Sequence, residues 1–433
     1  MLSIRKYFLV LSIILAMLVF LPLAYANFPP IIGSYHVWVL VWGISLLMFF
    51  PKVFLQKIML FVYLLGIYLW FMLQTFWSEM DPWQIGTLWK DYYAIIVAVS
   101  IISYFTYTKD YKNLALLTKY AVIFIFITAV LTIIVSIMDP MYSRNISMYE
   151  MEKEFSEIYI NQLRRLQKWG AGTRGDGFGF MVLFSFLMYY YKSKEKIFLS
   201  KIWIVVILGV CMLALLRMQF TTLLIYGIMV FILALVKPKN RILTFVILSI
   251  LILLYIIIPT EIFASFFFRI SDALQGQKVL SAYFKDMGIY MTIGGGEIEG
   301  NAVSVRMDVR YASAWEYFKA NPLFGTYFNQ NSTYGRLGEG HLFLMNKLTV
   351  IGLVGFILWA LPFFVFYKKI SQNFSKDFKY FFIIGFLAII LYGLVKVVIV
   401  RQAWMLVFVI LPGMYYLPLL KKETIDSTKK QNE

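Results

Sequence analysis

The chain reads as an all-α polytopic membrane protein, and three observations predict it. Of its 433 residues 61% are hydrophobic and only 15% charged, where a soluble domain carries about a quarter charged; mean hydropathy is +0.76. The apolar residues fall in runs close to the roughly 20 residues that span a hydrocarbon core. The basic residues between those runs fall on alternate loops, as the positive-inside bias requires. The one cysteine, Cys211, lies inside an apolar run, so no disulfide forms within the chain. No stretch resembles a soluble catalytic domain or a nucleic-acid module.

Twelve runs qualify as membrane-spanning helices: 7–26, 30–50, 57–77, 91–107, 115–138, 176–192, 197–216, 218–236, 242–262, 341–366, 379–400 and 403–420. The first, within "RKYFLVLSIILAMLVFLPLAYAN", also has the basic start and small-residue ending of a cleavable signal. Its apolar stretch is nearer a full span than a signal core, so it is read as the first helix. Arg5/Lys6, Lys52/Lys57, Lys109/Lys112, the lysines of 192–201, Lys237/Lys239/Arg241, those of 368–379 and Lys421/Lys422 sign one side. That places both termini in the cytoplasm. The expected organisation is then helices 1–5 in 1–138, an extracytoplasmic loop at 139–175 and helices 6–9 in 176–262. A large extracytoplasmic segment at 263–340, with one amphipathic helix, separates helices 9 and 10; helices 10–12 fill 341–420 and a cytoplasmic tail 421–433.

Forty Lys+Arg against 23 Asp+Glu give a net charge of +17. Cytoplasmic loops account for most of that excess, so cations on the opposite side need a separate reason. They occur in four places. "NQLRRLQKWGAGTRGDGFG" carries Arg164, Arg165, Arg174 and Asp176 into the sixth helix. "LLRMQFTT" sets Arg217 in apolar sequence at the hairpin between helices seven and eight. "VSVRMDVRYASAWEYFKANPLFG" carries Arg306 and Arg310, and "LVKVVIVRQ" carries Lys396 and Arg401.

The segment 304–320 has a helical, amphipathic pattern that Pro322 and Gly325 terminate. Arg306 and Arg310 are four apart, share a face and repel each other; Asp308, two residues from each, points elsewhere. The pair reads either as two solvated arginines or as a paired-cation site for an anion, because guanidinium forks match phosphate oxygens bidentately. Arg217 reads either as snorkelling to the interface or as facing a cavity, and Lys396 and Arg401 share those alternatives. One of only two histidines, His341, closes the large segment in "GEGHLFLMNKLTVIGLVGF", two residues after Glu339. An imidazole there is either a cap or a base able to take a proton from a sugar hydroxyl near neutral pH. His36, inside the second helix, reads as packing. "GGGEIEG" (294–300) reads as a mobile glycine loop over the cleft rather than a cation site at Glu297 and Glu299.

"HLFLMNKLTVIGLVG" resembles the His-Asn-x-x-Leu…Gly-x-x-Gly segment of the O-antigen ligase and Wzy-type polysaccharide polymerase family, with His341, Gly352 and Gly355 in the family spacing. "VRMDVRYASAWEYFKANPLFG" is similar to the stretch preceding it there, an arginine, an amphipathic helix and Asn-Pro-Leu-x-Gly. "LLRMQFTTLLIYG" resembles a transmembrane Ser-Arg element, and "GAGTRGDGFGF" the loop entering the sixth helix, where the family often has Asn in place of Asp. Leu342 stands where the family commonly has Asn, and Val350 where ligases often have an acid.

The resemblance implies a C-type glycosyltransferase-like membrane fold in a bacterial cytoplasmic membrane, acting at its outer face. Donor and acceptor would be polyprenyl-diphosphate-linked oligosaccharides, among membrane lipid, with a chain-length regulator as an accessory partner and no nucleic acid. Arg306, Arg310 and Arg217 would hold the diphosphate and His341 would deprotonate the acceptor hydroxyl. Arg164, Arg165, Arg174, Asp176, Glu339, Lys396 and Arg401 would contact substrate. No DxD pattern occurs, so neither metal nor other cofactor is expected, and direct displacement would invert the anomeric carbon. A ligase acting on a lipid A core is the alternative reading and a lipid-linked oligosaccharide flippase the second. Transporters, however, show internal repeats that are not evident here.

Overall fold

The computed structural model describes residues 2–56, 59, 62, 63, 66, 82–145, 157–195, 197–218, 220–236, 260–293, 311–325, 342–395 and 400–421. Every regular element among them is helical. Three described helices, Ser3–Phe20, Tyr111–Met138 and Ile351–Asn373, are long and apolar enough to cross a membrane, and four shorter apolar helices accompany them. Large apolar side chains such as Leu40, Ile202, Val205, Ile357 and Phe364 are exposed, which suits a lipid-facing surface. Most of the expected span at 57–77, the expected span at 242–262 up to residue 259, and the tail beyond 421 lie outside the described residues.

In chain order the helices are α1 (Leu2–Phe20), α2 (Pro22–Asn27), α3 (Tyr35–Phe49), α4 (Pro82–Tyr107), α5 (Tyr111–Met138), α6 (Tyr142–Asn145), α7 (Glu157–Gln167), α8 (Arg174–Lys192), α9 (Lys201–Arg217) and α10 (Thr221–Val236). There follow α11 (Thr260–Ala273), α12 (Lys278–Ile293), α13 (Ala312–Ala320), α14 (Phe343–Ile370), α15 (Lys376–Val395) and α16 (Val400–Met405). A π-turn at Leu406–Ile410 then leads into α17 (Leu411–Met414).

The core is built around α8. All its residues from 175 to 190 are buried, the mark of a helix apolar on every side, and it packs on α5, α9, α10, α15 and α16. Three glycines on its first turns allow close approach. An added Cβ at Gly175 would lie 2.9 Å from the Gln402 amide, at Gly179 3.2 Å from Ile125, and at Gly177 against Leu223. Helix α5 starts at Asp110, whose carboxylate accepts from the Asn113 backbone N–H at 3.3 Å and its side-chain amide at 2.7 Å, satisfying a donor the helix leaves open. Its buried Thr118, Thr132 and Ser136 hydroxyls donate to carbonyls one turn back. Thr128 instead crosses to the Phe20 carbonyl at 2.7 Å, tying the end of α1 to α5.

The two ends of the bundle differ in chemistry. At one, Lys192 donates to the Ala234 carbonyl at 3.0 Å, Tyr380 donates to the Leu233 carbonyl at 2.9 Å, and Tyr111 stacks on Tyr416 at 4.5 Å. The start of α15, with Lys376 and Lys379, lies at this end as well. The other end gathers the finish of α1 and α5 with the start of α8, α10 and α16.

Within the expected large segment, α11 and α12 pair as a hairpin, with Phe267 stacked on Phe284 at 6.2 Å and the Ser271 hydroxyl donating to the Ser281 carbonyl at 2.9 Å. Helix α11 begins at Thr260 and so runs across the expected boundary at 262. The amphipathic helix expected over 304–320 is described from residue 311 on, and it ends at Asn321–Gly325 as Pro322 and Gly325 require.

Candidate functional site

Helix α14 is broken. Gly352 has φ 63° and ψ −177° in the middle of its span, a backbone region almost restricted to glycine. Phe343 and Trp359 are sixteen residues apart, about 24 Å along a straight helix, yet their rings are 6.2 Å apart. The half 343–351 is therefore folded against the half 353–370.

A break in mid-helix strands backbone donors, and in apolar surroundings these need partners. The turn after α13 supplies them: Leu353 N–H donates to the Pro322 carbonyl at 2.8 Å and Val354 N–H to the Leu323 carbonyl at 3.0 Å. A Cβ at residue 352 would overlap the Leu323 carbonyl and the Gly325 nitrogen. Thr349 adds a third tie, its hydroxyl donating to the Ala314 carbonyl at 3.2 Å. The "NPLFG" turn and the glycine segment, 27 residues apart in sequence, thus dock backbone to backbone. Leu342 leads into this assembly with φ 61° and its side chain 1% exposed. A left-handed leucine is strained, and asparagine is among the residues that adopt this conformation most readily; burial of the side chain offsets the strain.

A second cluster surrounds the loop entering α8. Gly170 (φ 58°) and Gly172 (φ 85°) turn the chain, and Cβ atoms there would strike Pro22 and the Ser143 hydroxyl. The Asn27 amide donates to the Lys168 carbonyl at 2.5 Å. Asp176, 5% exposed, caps its own helix: Oδ2 accepts from the Thr173 N–H at 2.9 Å and the Thr173 hydroxyl at 2.8 Å. Its other oxygen, Oδ1, is buried with no hydrogen-bond partner, as are Gln402 Oε1 and Ser143 Oγ. Asp176 and Gln402 flank Gly175 and offer acceptors to any hydroxyl that reaches them.

Of the residues singled out from sequence, Arg174 opens α8 and Arg217 ends α9, half-buried, beside the start of α10. Leu215 and Leu223 of that hairpin would meet a Cβ at Gly177, so Arg217 borders the same end of the bundle as Asp176. Arg401, exposed, places its guanidinium 5.4 Å from the Tyr35 ring centre. Arg164 and Arg165 are exposed on α7, which turns Leu163 and Leu166 inward toward Val135 and Tyr142. Arg306, Arg310, Glu339, His341 and Lys396 lie outside the described residues, as do Glu297 and Glu299. Their described neighbours Tyr311 and Leu342 begin the two docked elements. Among the described residues no group of three or more His, Cys, Asp or Glu could hold a metal ion.

Sequence reasoning passed over a buried cation. Lys347 is 9% exposed, with its ammonium 5.1 Å from the Phe343 ring and 5.2 Å from that of Trp359. The signal was present in "MNKLTV", a lysine inside an apolar run, but the adjacent histidine motif overshadowed it. Gln402 and the two buried indoles Trp359 and Trp404 carried no sequence signal of their own. No family model, curated protein or solved structure matches the chain.

Proposed function

We propose that the protein is a polysaccharide polymerase that transfers a polyprenyl-diphosphate-linked glycan to a hydroxyl of another lipid-linked repeat unit. The reaction takes place at the outer face of a bacterial cytoplasmic membrane. The full architecture in this reading has twelve spans and cytoplasmic termini, with the arginine and histidine segments outside. One observation supports it above the others: the "NPLFG" turn and the Gly352 break, parts of two separately recognised motifs, form one hydrogen-bonded unit. The described helix that starts after residue 311 and the one that starts after residue 342 are held together by it.

In this mechanism His341 accepts the proton of the acceptor hydroxyl as its oxygen attacks the anomeric carbon of the donor. The bond from that carbon to the diphosphate oxygen breaks, and the lipid diphosphate leaves with the electron pair. Arg306, Arg310 and Arg217 stabilise the charge that grows on it. Asp176 and Gln402 orient the glycan by accepting from its hydroxyls. General-base loss costs about 10²–10⁴-fold in rate.

The test incubates purified protein with a lipid-linked repeat unit. Wild type should yield a ladder of lengths, and His341→Ala should lose it while retaining its melting temperature. Full extension by His341→Ala would reduce the ring to a cap and sink the mechanism. A single transfer to a lipid A core acceptor, with no ladder, would favour the ligase.

A further inference from the structure

Two side chains that the mechanism leaves unused, His36 and Arg401, are brought together by the fold. His36 reads from sequence as a packing residue, yet it is exposed on the first turn of α3. Its Nδ1 meets the Tyr93 hydroxyl of α4 at 3.3 Å, and its ring lies 6.0 Å from that of Tyr35. The face of Tyr35 in turn carries Arg401, whose guanidinium is 5.4 Å from the ring centre. Among the described residues no carboxylate pairs with Arg401.

An apolar strip runs away from this cluster along α3. His36, Leu40, Ile44 and Leu47 fall within about 80° of helical arc and all are exposed, whereas Trp42, Ser45 and Leu46 on the opposite side are buried. From 36 to 47 the strip is about 16 Å long, the depth of one leaflet of a hydrocarbon core roughly 30 Å thick. At its head the Trp38 indole donates to the Ile32 carbonyl at 2.7 Å, and Trp and Tyr rings gather at the headgroup level of a bilayer. A cationic head over a leaflet-long apolar strip matches the two-part chemistry of a phospholipid.

We infer that His36 and Arg401 bind the headgroup phosphate of an anionic bilayer phospholipid of the phosphatidylglycerol kind, with an acyl chain lying along Leu40, Ile44 and Leu47. The guanidinium forks onto two phosphate oxygens while its face stays on the Tyr35 ring. The Tyr93 hydroxyl donates to Nδ1 of His36, so Nε2 carries the ring hydrogen and donates to a third oxygen. Phosphatidylglycerol supplies the single negative charge that Arg401 lacks; the phosphate of phosphatidylethanolamine is already offset by its own ammonium. The residue after Arg401, Gln402, lies against Gly175 of α8, so the bound lipid also holds the start of α16 to that helix. The site does not depend on the polymerase reading.

The test strips full-length protein of lipid in detergent, adds back phosphatidylglycerol, phosphatidylethanolamine or a short-chain prenyl diphosphate, and reads retained lipid by native mass spectrometry. Wild type should retain phosphatidylglycerol in preference to phosphatidylethanolamine. Arg401→Gln should weaken retention roughly ten- to a hundredfold, as loss of a charged hydrogen bond does, and Arg401→Lys should recover part of it. His36→Phe, which keeps a ring and removes the donor, should weaken it by about two- to tenfold. Lys201→Gln, a change of equal charge on another helix, should leave it unchanged. Wild-type retention in Arg401→Gln, or an equal loss in Lys201→Gln, overturns the site. If Arg401→Gln does not fold, wild-type retention in both Arg401→Lys and His36→Phe overturns it instead. Equal retention of the two phospholipids overturns the headgroup assignment. Displacement of phosphatidylglycerol by an equal concentration of the prenyl diphosphate overturns the phospholipid and gives the site to a substrate lipid. Preferential retention that depends on Arg401, in a protein that forms no glycan ladder, upholds this site while the polymerase reading fails.

Discussion

Helices α8 and α14 both depend on glycine, for opposite reasons. In α8, Gly175, Gly177 and Gly179 sit in regular helix and make room, so that Gln402, Leu223 and Ile125 come close. In α14, Gly352 leaves the helix altogether, and its φ of 63° ends one half and starts another. The first use is steric and graded, because a flexible neighbour yields by a few tenths of an ångström. The second is conformational and close to absolute, because the atoms a Cβ would strike are backbone. Glycine in a membrane helix thus marks either a packing face or a break, and only the neighbours tell which.

Four substitutions test that contrast, all read by thermal or denaturant unfolding in detergent. Gly352→Ala should cost most, roughly 2–6 kcal/mol from strained backbone plus overlap; a variant melting within a few degrees of wild type would mean that the break is not needed. Gly177→Ala should cost less, about 1–3 kcal/mol, since Leu223 can change rotamer. A cost equal to that of Gly352→Ala would erase the distinction between the two helices. Asp176→Ala removes the cap of α8 and should cost about 0.5–2 kcal/mol, with a further loss of glycan binding if Oδ1 accepts a substrate hydroxyl. Thr349→Val should be mildest, about 0.5–1.5 kcal/mol. It removes a tie between α13 and α14 but leaves the Leu353 and Val354 bonds in place, and a larger effect would shift the docking from backbone to side chain.

The helical class and several helix positions were legible because apolar run length acts locally. The runs at 115–138, 176–192 and 379–400 match α5, α8 and α15 to within a few residues. The break was not legible: 341–366 reads as one membrane-length run, and whether Gly352 adopts a positive φ depends on a turn that arrives from residue 322. Pro322 and Gly325 did announce the end of α13, since proline and glycine act on their own backbone. The site was legible in part. Thr173 and Asp176, three apart before an apolar run, carry a capping pattern in the chain itself, whereas the burial of Asp176 depends on the helices packed around α8. Basic residues looked alike in sequence; structure separates exposed Arg164 and Arg165 from half-buried Arg217 and buried Lys347.

The joint between α13 and α14 is made by carbonyls and amides, groups that every residue carries. Pro322 and Leu323 contribute oxygens to it, and their side chains are incidental to those bonds. Its demands on identity fall on Gly352, on whatever ends α13, and on little else. Most positions in both helices are therefore at liberty to drift during descent without disturbing the joint. A lineage could replace nearly all of the surrounding alphabet and still inherit the same hinge in the membrane.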